Sequence, residues 1–160
     1  MDMSQAQGTI NQTYQAILEA LNHLIEAISD EDVWPKYNEQ LGALSFKLQK
    51  SSDKKIVKVS KTMYSTYLNN LGFIWVGKGN STIAIPYFIE SLNIDIELGN
   101  LYGQAYSENN IGMVYLDEGQ IDSALSYFQR SLKKYQKIKN KKGQALSLNN
   151  IGYIYSKHGL

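Results

Sequence analysis

The sequence predicts an all-α solenoid of antiparallel helix pairs, about seven helices in total, on three observations. Asn69-Asn70-Leu71-Gly72 recurs as Asn109-Asn110-Ile111-Gly112 and again as Asn149-Asn150-Ile151-Gly152, each copy forty residues after the last. Between the copies apolar residues return at three- and four-residue intervals, the spacing of one helix face. Only Pro35 and Pro86 interrupt the chain, and its twelve glycines fall at regular places rather than in a flexible tract.

The repeat is not a coincidence of four residues. The second and third copies agree at ten of seventeen positions from Gly103 to Gly119 and Gly143 to Gly159. Each complete copy contains two helices. Helix A of the second runs from about Leu101 to Asp117, with Ile111, Gly112 and Tyr115 on one face and Gly119 as its C-terminal cap. Helix B follows from about Ile121 to Ile138, with Ala124, Leu125, Phe128 and Leu132 as its apolar stripe and Asp122 in the favourable first turn. The first copy repeats the layout with Leu71, Gly72, Trp75 and Gly79, then Ala84, Phe88 and Leu92. Pro86 falls early in its helix B, where it removes a hydrogen bond or bends the helix.

Gly72 and Gly112 lie mid-helix, where glycine costs about 1 kcal/mol against alanine, so their regular placement implies close helix contact. Ala84 and Ala124 supply the matching small residue on helix B, with Trp75/Phe88 and Tyr115/Phe128 filling the adjacent space.

These residues resemble the tetratricopeptide repeat family: a leucine-glycine pair, an aromatic three residues on, a glycine before the turn, then alanine and aromatic positions on the second helix. The resemblance covers residues 63 to 138 and continues through 142 to 160. It implies a right-handed α-α superhelix and a protein-interaction module. Two features depart from the family pattern. The proline usual at the end of helix B is absent, with Ile96 and Gln136 near that place, and the period is forty rather than thirty-four. With connectors such as Leu98-Gly99-Asn100 and Ile138-Lys139-Asn140-Lys141-Lys142-Gly143, the longer period resembles arrays preceding output domains in bacterial signalling proteins, sensor histidine kinases above all; it is also similar to repeats in kinesin light chain.

The expected organisation is an N-terminal helical hairpin or degenerate capping repeat over 1–60, one repeat over 61–100, a second over 101–140, and helix A of a truncated third over 141–160. In the first segment, residues 11 to 29 carry Tyr14, Ile17, Leu18, Leu21, Leu24, Ile25 and Ile28 on one side. A break at Ser29-Asp30-Glu31-Asp32, with Asp32 as cap, leads into a helix from Val33 to Gln49 with Pro35 in its first turn. Asp53 starts the long helix that enters the first clear repeat. Lys50, Lys54, Lys55, Lys58 and Lys61 form a basic face there, read as solvated, with a patch for acidic partners or anionic lipid as the alternative. The third copy stops at His158-Gly159-Leu160, after helix A: either a fragment of a longer array, since Gly159-Leu160 begins the turn toward a further helix B, or a terminal cap; an apolar face left uncovered there invites self-association.

Composition bounds the function. With 160 residues and 43% apolar content a continuous core is possible. Sixteen basic and fifteen acidic residues leave a net charge of +1, without the excess that nucleic acid binding needs, so no nucleic acid partner is expected. Cysteine is absent, which removes disulfides and thiolate chemistry. The first apolar region, Ile17 to Ile28, is broken by Glu19 and Glu26 and lacks a basic lead-in, and no apolar run approaches the ~20 residues a bilayer requires. The chain therefore reads as cytoplasmic, with no membrane insertion.

Stacked helices A line the concave surface of such a superhelix. With Leu71, Ile111 and Ile151 directed into the core, Asn70, Asn110 and Asn150 are rotated about 100° toward the groove. A carboxamide both donates and accepts, so this ladder can pair with the backbone of an extended peptide. One turn to either side lie Thr66 and Phe73, Tyr106 and Met113, and Leu146 and Tyr153, of which Phe73, Met113 and Tyr153 offer apolar pockets. Asn69, Asn109, Asn149 and Asp117 complete the candidate peptide-binding set. The ladder has a second reading, hydrogen bonding between helices that holds the stack in register. In peptide-binding relatives the ladder asparagine contacts ligand backbone; the lysines of the carboxylate-clamp variety are not evident at Asn69, Phe73, Asn109 or Met113.

No catalytic constellation is present. His23 and His158 stand at opposite ends of the chain, and Glu97, Glu108, Asp117 and Glu118 read as helix-end or solvated residues. The glycines follow the helical period and form no phosphate-binding loop, and Tyr115, Tyr155, Tyr127 and Tyr135 fit the helix faces. The expectation is a non-enzymatic scaffold without cofactor or metal that binds a peptide or protein, or else a module that self-associates through its last helix.

Overall fold

A computed structural model describes residues 3–27 and 34–158. Among these residues there are seven helices and no strand: α1 (Met3–Ala27), α2 (Trp34–Leu48), α3 (Lys54–Gly77), α4 (Ser81–Glu97), α5 (Leu101–Asp117), α6 (Ile121–Lys137) and α7 (Lys141–His158). The all-α prediction holds. Ile28, the break at Ser29–Asp32 with its Asp32 cap, Val33, the side chain of His158, and Gly159–Leu160 lie outside the described residues.

The turns follow from local chemistry. Helices α3, α4, α5 and α6 each end in the same double hydrogen bond: after α5, Gln120 N–H donates to Tyr115 O (2.8 Å) and Gly119 N–H to Leu116 O (3.0 Å). The pivotal residue must take positive φ, which Gly79, Gly99 and Gly119 do at 74°, 66° and 74°. After α6 that position is Lys139, held at φ 56°. The next residue then opens the following helix: Asn100 and Asn140 accept from Gly103 N (3.3 Å) and Gly143 N (2.8 Å). Three residues thus stop one helix and start the next. Helix α7 accordingly begins at Lys141, inside the span read as connector.

The chain forms two compact units, Met1–Asn70 and Leu71–Leu160, whose boundary falls within α3. In the first, Leu18, Ile25, Leu41, Leu48 and Ile56 make the core. Ile17 and Leu24, predicted on the apolar face of α1, are instead exposed, because burial takes only the narrower stripe through Tyr14, Leu18, Leu21 and Ile25. Helix α1 also starts two turns earlier than the apolar periodicity indicated, since Gln7–Ile10 are exposed and add no core signal. Asp53 starts α3 as expected: its carboxylate accepts from Lys55 N–H (2.8 Å) and from Asn11 Nδ2 (2.8 Å). The Lys55 backbone bond leads in holding its pKa below the ordinary value.

In the second unit α4, α5, α6 and α7 pack in succession. Ala84, Phe88, Leu92, Ile111 and Val114 form one core cluster, and Ala124, Phe128 and Ile154 the next. The mid-helix glycines do permit close contact, and the group they admit is the phenylalanine ring: Gly72 lies against Phe88, and a Cβ on Gly112 would sit 2.8 Å from Phe128 Cε1. Pro86, exposed at the sixth position of α4, does not end the helix, which continues to Glu97.

Candidate functional site

Helices A of the second unit are positioned by polar contacts that themselves repeat every forty residues. Ser91 and Ser107 hydroxyls meet at 3.3 Å between α4 and α5, and Ser131 and Ser147 at 3.1 Å between α6 and α7. Gln104 Nε2 donates to Asp95 O (3.1 Å), and Gln144 Nε2 to Tyr135 O (3.3 Å). All four serines are buried, so each pair satisfies groups that burial alone would penalise by about 1–3 kcal/mol. These contacts fix α5 and α7 against the helices before them.

Glu108 corrects the sequence reading. Far from a helix end or solvent, it sits mid-α5, wholly buried, its two oxygens each 2.6 Å from Arg130 Nη2 and Lys134 Nζ of α6. The half-exposed Arg130 also lies over the Tyr127 ring at 5.1 Å. The pairing across from α6 is what makes a buried carboxylate tolerable there.

The predicted site residues divide between the two units. In the first, Thr66 Oγ1 donates back to Thr62 O (3.3 Å), Asn69 is buried, and Asn70 Nδ2 donates to Asn38 Oδ1 (2.9 Å) on α2. In the second, Asn109 is buried and its Oδ1 accepts from Asn150 Nδ2 of α7 at 3.0 Å. Asn70, Asn109 and Asn150 thus make interhelical bonds within their own units. Asn150 remains half-buried, with a carbonyl oxygen and a second N–H beyond that bond. Asn110 is buried and, with Phe73, Met113 and Val114, lines a shallow depression.

Around these carboxamides the apolar members stay in solvent. Phe73 is 37% exposed, Met113 41% and Tyr153 51%, while Asn149 and Asp117 are also exposed and Tyr106 is half-buried. Phe73 stands edge-on to Phe88 at 5.8 Å and 6.1 Å from Tyr106. Tyr102, absent from the predicted set, extends the row: 52% exposed, it stacks parallel to Tyr106 at 6.4 Å and meets Tyr135 edge-on at 5.9 Å. Its signal was its place one helical turn before Tyr106 on the same face.

Tyr135 is buried against Gly143, and burial, with Tyr102 and Tyr106 adding to it, raises its phenol pKa above the ordinary value of 10.0. Among the described residues no group of three metal-ligating side chains is assembled, and no helix is long and apolar enough to cross a membrane. What the face offers is ring and thioether contact area beside amide hydrogen-bonding groups.

A tetratricopeptide repeat family model matches residues 63–137 and, overlapping them, residues 103–160. No curated protein matches the sequence.

Proposed function

Because the chain belongs to the tetratricopeptide repeat family, whose non-enzymatic repeats mediate protein–protein interaction, we propose that the second unit holds an extended segment of a partner polypeptide against Phe73 and the exposed face of α5 and α7. One observation carries this reading: Phe73, Tyr102, Met113 and Tyr153 keep large apolar surfaces in water, while Ile111, Val114 and Ile154 of α5 and α7 are buried in the core. Covering that area removes apolar surface from water, which favours a complex by about 25 cal/mol per Å² before the entropic costs of association are subtracted. Asn149 and Asn150 supply backbone-directed hydrogen bonds beside it. The forty-residue period and its likeness to arrays of bacterial signalling proteins support a role as the cytoplasmic input module of such a protein.

Selection of peptides from a displayed library on the intact chain tests the reading. Selected peptides should lose about tenfold or more in affinity on Met113→Ala or Tyr153→Ala, the loss of a central apolar anchor, with helicity unchanged. Equal affinity for both variants would sink it.

One observation favours a second reading, self-association through α7. On α5 the face containing Glu108, Gly112 and Tyr115 is covered by α6, whereas the equivalents on α7, Leu148, Gly152 and Tyr155, are exposed. Sedimentation velocity separates the readings: a dimer abolished by Leu148→Lys supports self-association, and a monomer at all concentrations rejects it.

A further inference from the structure

The balanced net charge conceals a polar distribution. From Ser123 to Leu160 the sequence contains Arg130 and seven lysines, and not one aspartate or glutamate. The buried carboxylate of Glu108, on α5, is taken by Arg130 and Lys134. Five lysines of the corner between α6 and α7, namely Lys133, Lys137, Lys139, Lys141 and Lys142, are exposed and make no ion pair with any of the described residues.

Three features of this corner oppose stability. Lys139 occupies a left-handed backbone position that Gly79, Gly99 and Gly119 fill at the other turns. Lys141 and Lys142 stand in the first turn of α7, where the helix dipole disfavours cations, and no acidic residue accompanies them. The five like charges also repel one another. At the start of α3, by contrast, Lys54 and Lys55 follow the capping carboxylate of Asp53. The corner one repeat earlier has Asn93, Glu97, Gly99, Leu101 and Tyr102 at the five equivalent positions and no lysine. An anion bound at the α6–α7 corner relieves the second and third of these costs.

Its location identifies the bearer of that anion. Lys142 is the repeat equivalent of Tyr102, and Lys142, Leu146, Asn149 and Tyr153 follow the same four-three-four spacing as Tyr102, Tyr106, Asn109 and Met113. The basic corner therefore continues the face described above, and Tyr102 already reaches Tyr135, the residue packed on Gly143. The lysines cover one corner only, with Asp117, Glu118 and Asp122 along α5 and α6 at the far end, too short a basic track for a duplex.

We infer that the α6–α7 corner binds the acidic end of the partner segment, so that the ligand is a polypeptide in which aspartate, glutamate or phosphorylated residues adjoin an apolar, aromatic stretch. This rests on the binding face proposed above and names the chemistry of its ligand.

The test measures binding of the intact chain to four synthetic peptides: an aromatic and leucine-containing stretch taken from library selection, the same stretch extended by a glutamate block at its N-terminal end, the same stretch extended at its C-terminal end, and the block alone. The expected result is tighter binding of one extended peptide than of the bare stretch, by about tenfold for a charge-assisted contact. That gain should disappear with Lys141→Glu/Lys142→Glu and on raising salt, while the bare stretch binds the variant as before. Circular dichroism checks the fold of the variant, whose new carboxylates suit a helix start. Equal affinity of bare and extended peptides, or a gain that survives the lysine reversal, overturns the inference. So does binding of phosphatidylserine vesicles or duplex DNA that the reversal abolishes without any glutamate-dependent gain for peptides. If no bare stretch binds while the block still binds through the lysines, the apolar face is what fails.

Discussion

The carboxylate of Glu108, on α5, is excluded from solvent and lies 2.6 Å from the ammonium of Lys134 on α6. Removing the charge from one side alone leaves two cations facing a buried neutral amide. Glu108→Gln is therefore expected to cost about 1–3 kcal/mol, moderated because Arg130 and Lys134 can turn toward water. Glu108→Leu should cost less, since the repeat-equivalent Leu68 is itself buried. Urea unfolding of both variants checks the order, and a cheaper glutamine than leucine would contradict it.

Lys139 and Gly119 end successive helices in the same hydrogen-bond pattern, both at positive φ. Glycine adopts that conformation without the steric cost a side chain adds, about 1 kcal/mol or somewhat more. Lys139→Gly should stabilise the protein by about that amount and Gly119→Ala should destabilise it comparably, as read from denaturant midpoints.

Gly112 and Gly152 occupy the same place in two copies yet predict opposite outcomes. A Cβ on Gly112 meets the Phe128 ring at 2.8 Å, so Gly112→Ala should cost about 1–3 kcal/mol by overpacking. A Cβ on Gly152 meets no atom within 4 Å, and Gly152→Ala should gain up to about 1 kcal/mol from helix propensity. Thermal unfolding of the two variants distinguishes them.

The same residues explain what the sequence made legible. The sequence places α5 at its observed ends, and α6 within a residue of them, because Gly79 and Gly119, and Asn100 and Asn140, mark turns forty residues apart. Gly112 betrayed close packing because a mid-helix glycine is costly without a reason. Glu108 and the serine pairs were not legible: a charge or a hydroxyl reads as solvent-facing until its partner is placed, and Arg130 and Lys134 lie more than twenty residues away on another helix. Asn150 offered two readings because one carboxamide can hold a helix and still face a groove; its bond to Asn109 appears only once α5 and α7 are neighbours.

The buried phenol of Tyr135 makes stability depend on alkaline pH. Its folded pKa lies above the unfolded value of 10.0, because burial penalises the phenolate and Tyr102 and Tyr106 add to it. The neutral form is favoured on folding, so its contribution is fully present below pH about 10 and is lost as pH rises further, when the unfolded chain gives up the proton first. Wild type should lose stability between pH about 9 and 11 more steeply than Tyr135→Phe. Parallel slopes in urea unfolding across that range would contradict the assignment.

The central claim is that a partner polypeptide lies on the exposed face of α5 and α7. A photo-crosslinking amino acid placed at Met113 or Tyr153 tests it most directly, with the exposed outer positions Ser126 and Gln129 of α6 as controls. Crosslinks to a selected peptide should form from positions 113 and 153 and be competed by the same peptide unlabelled. Crosslinks of equal yield from positions 126 and 129, or none from 113 and 153 at saturating peptide, would contradict the account.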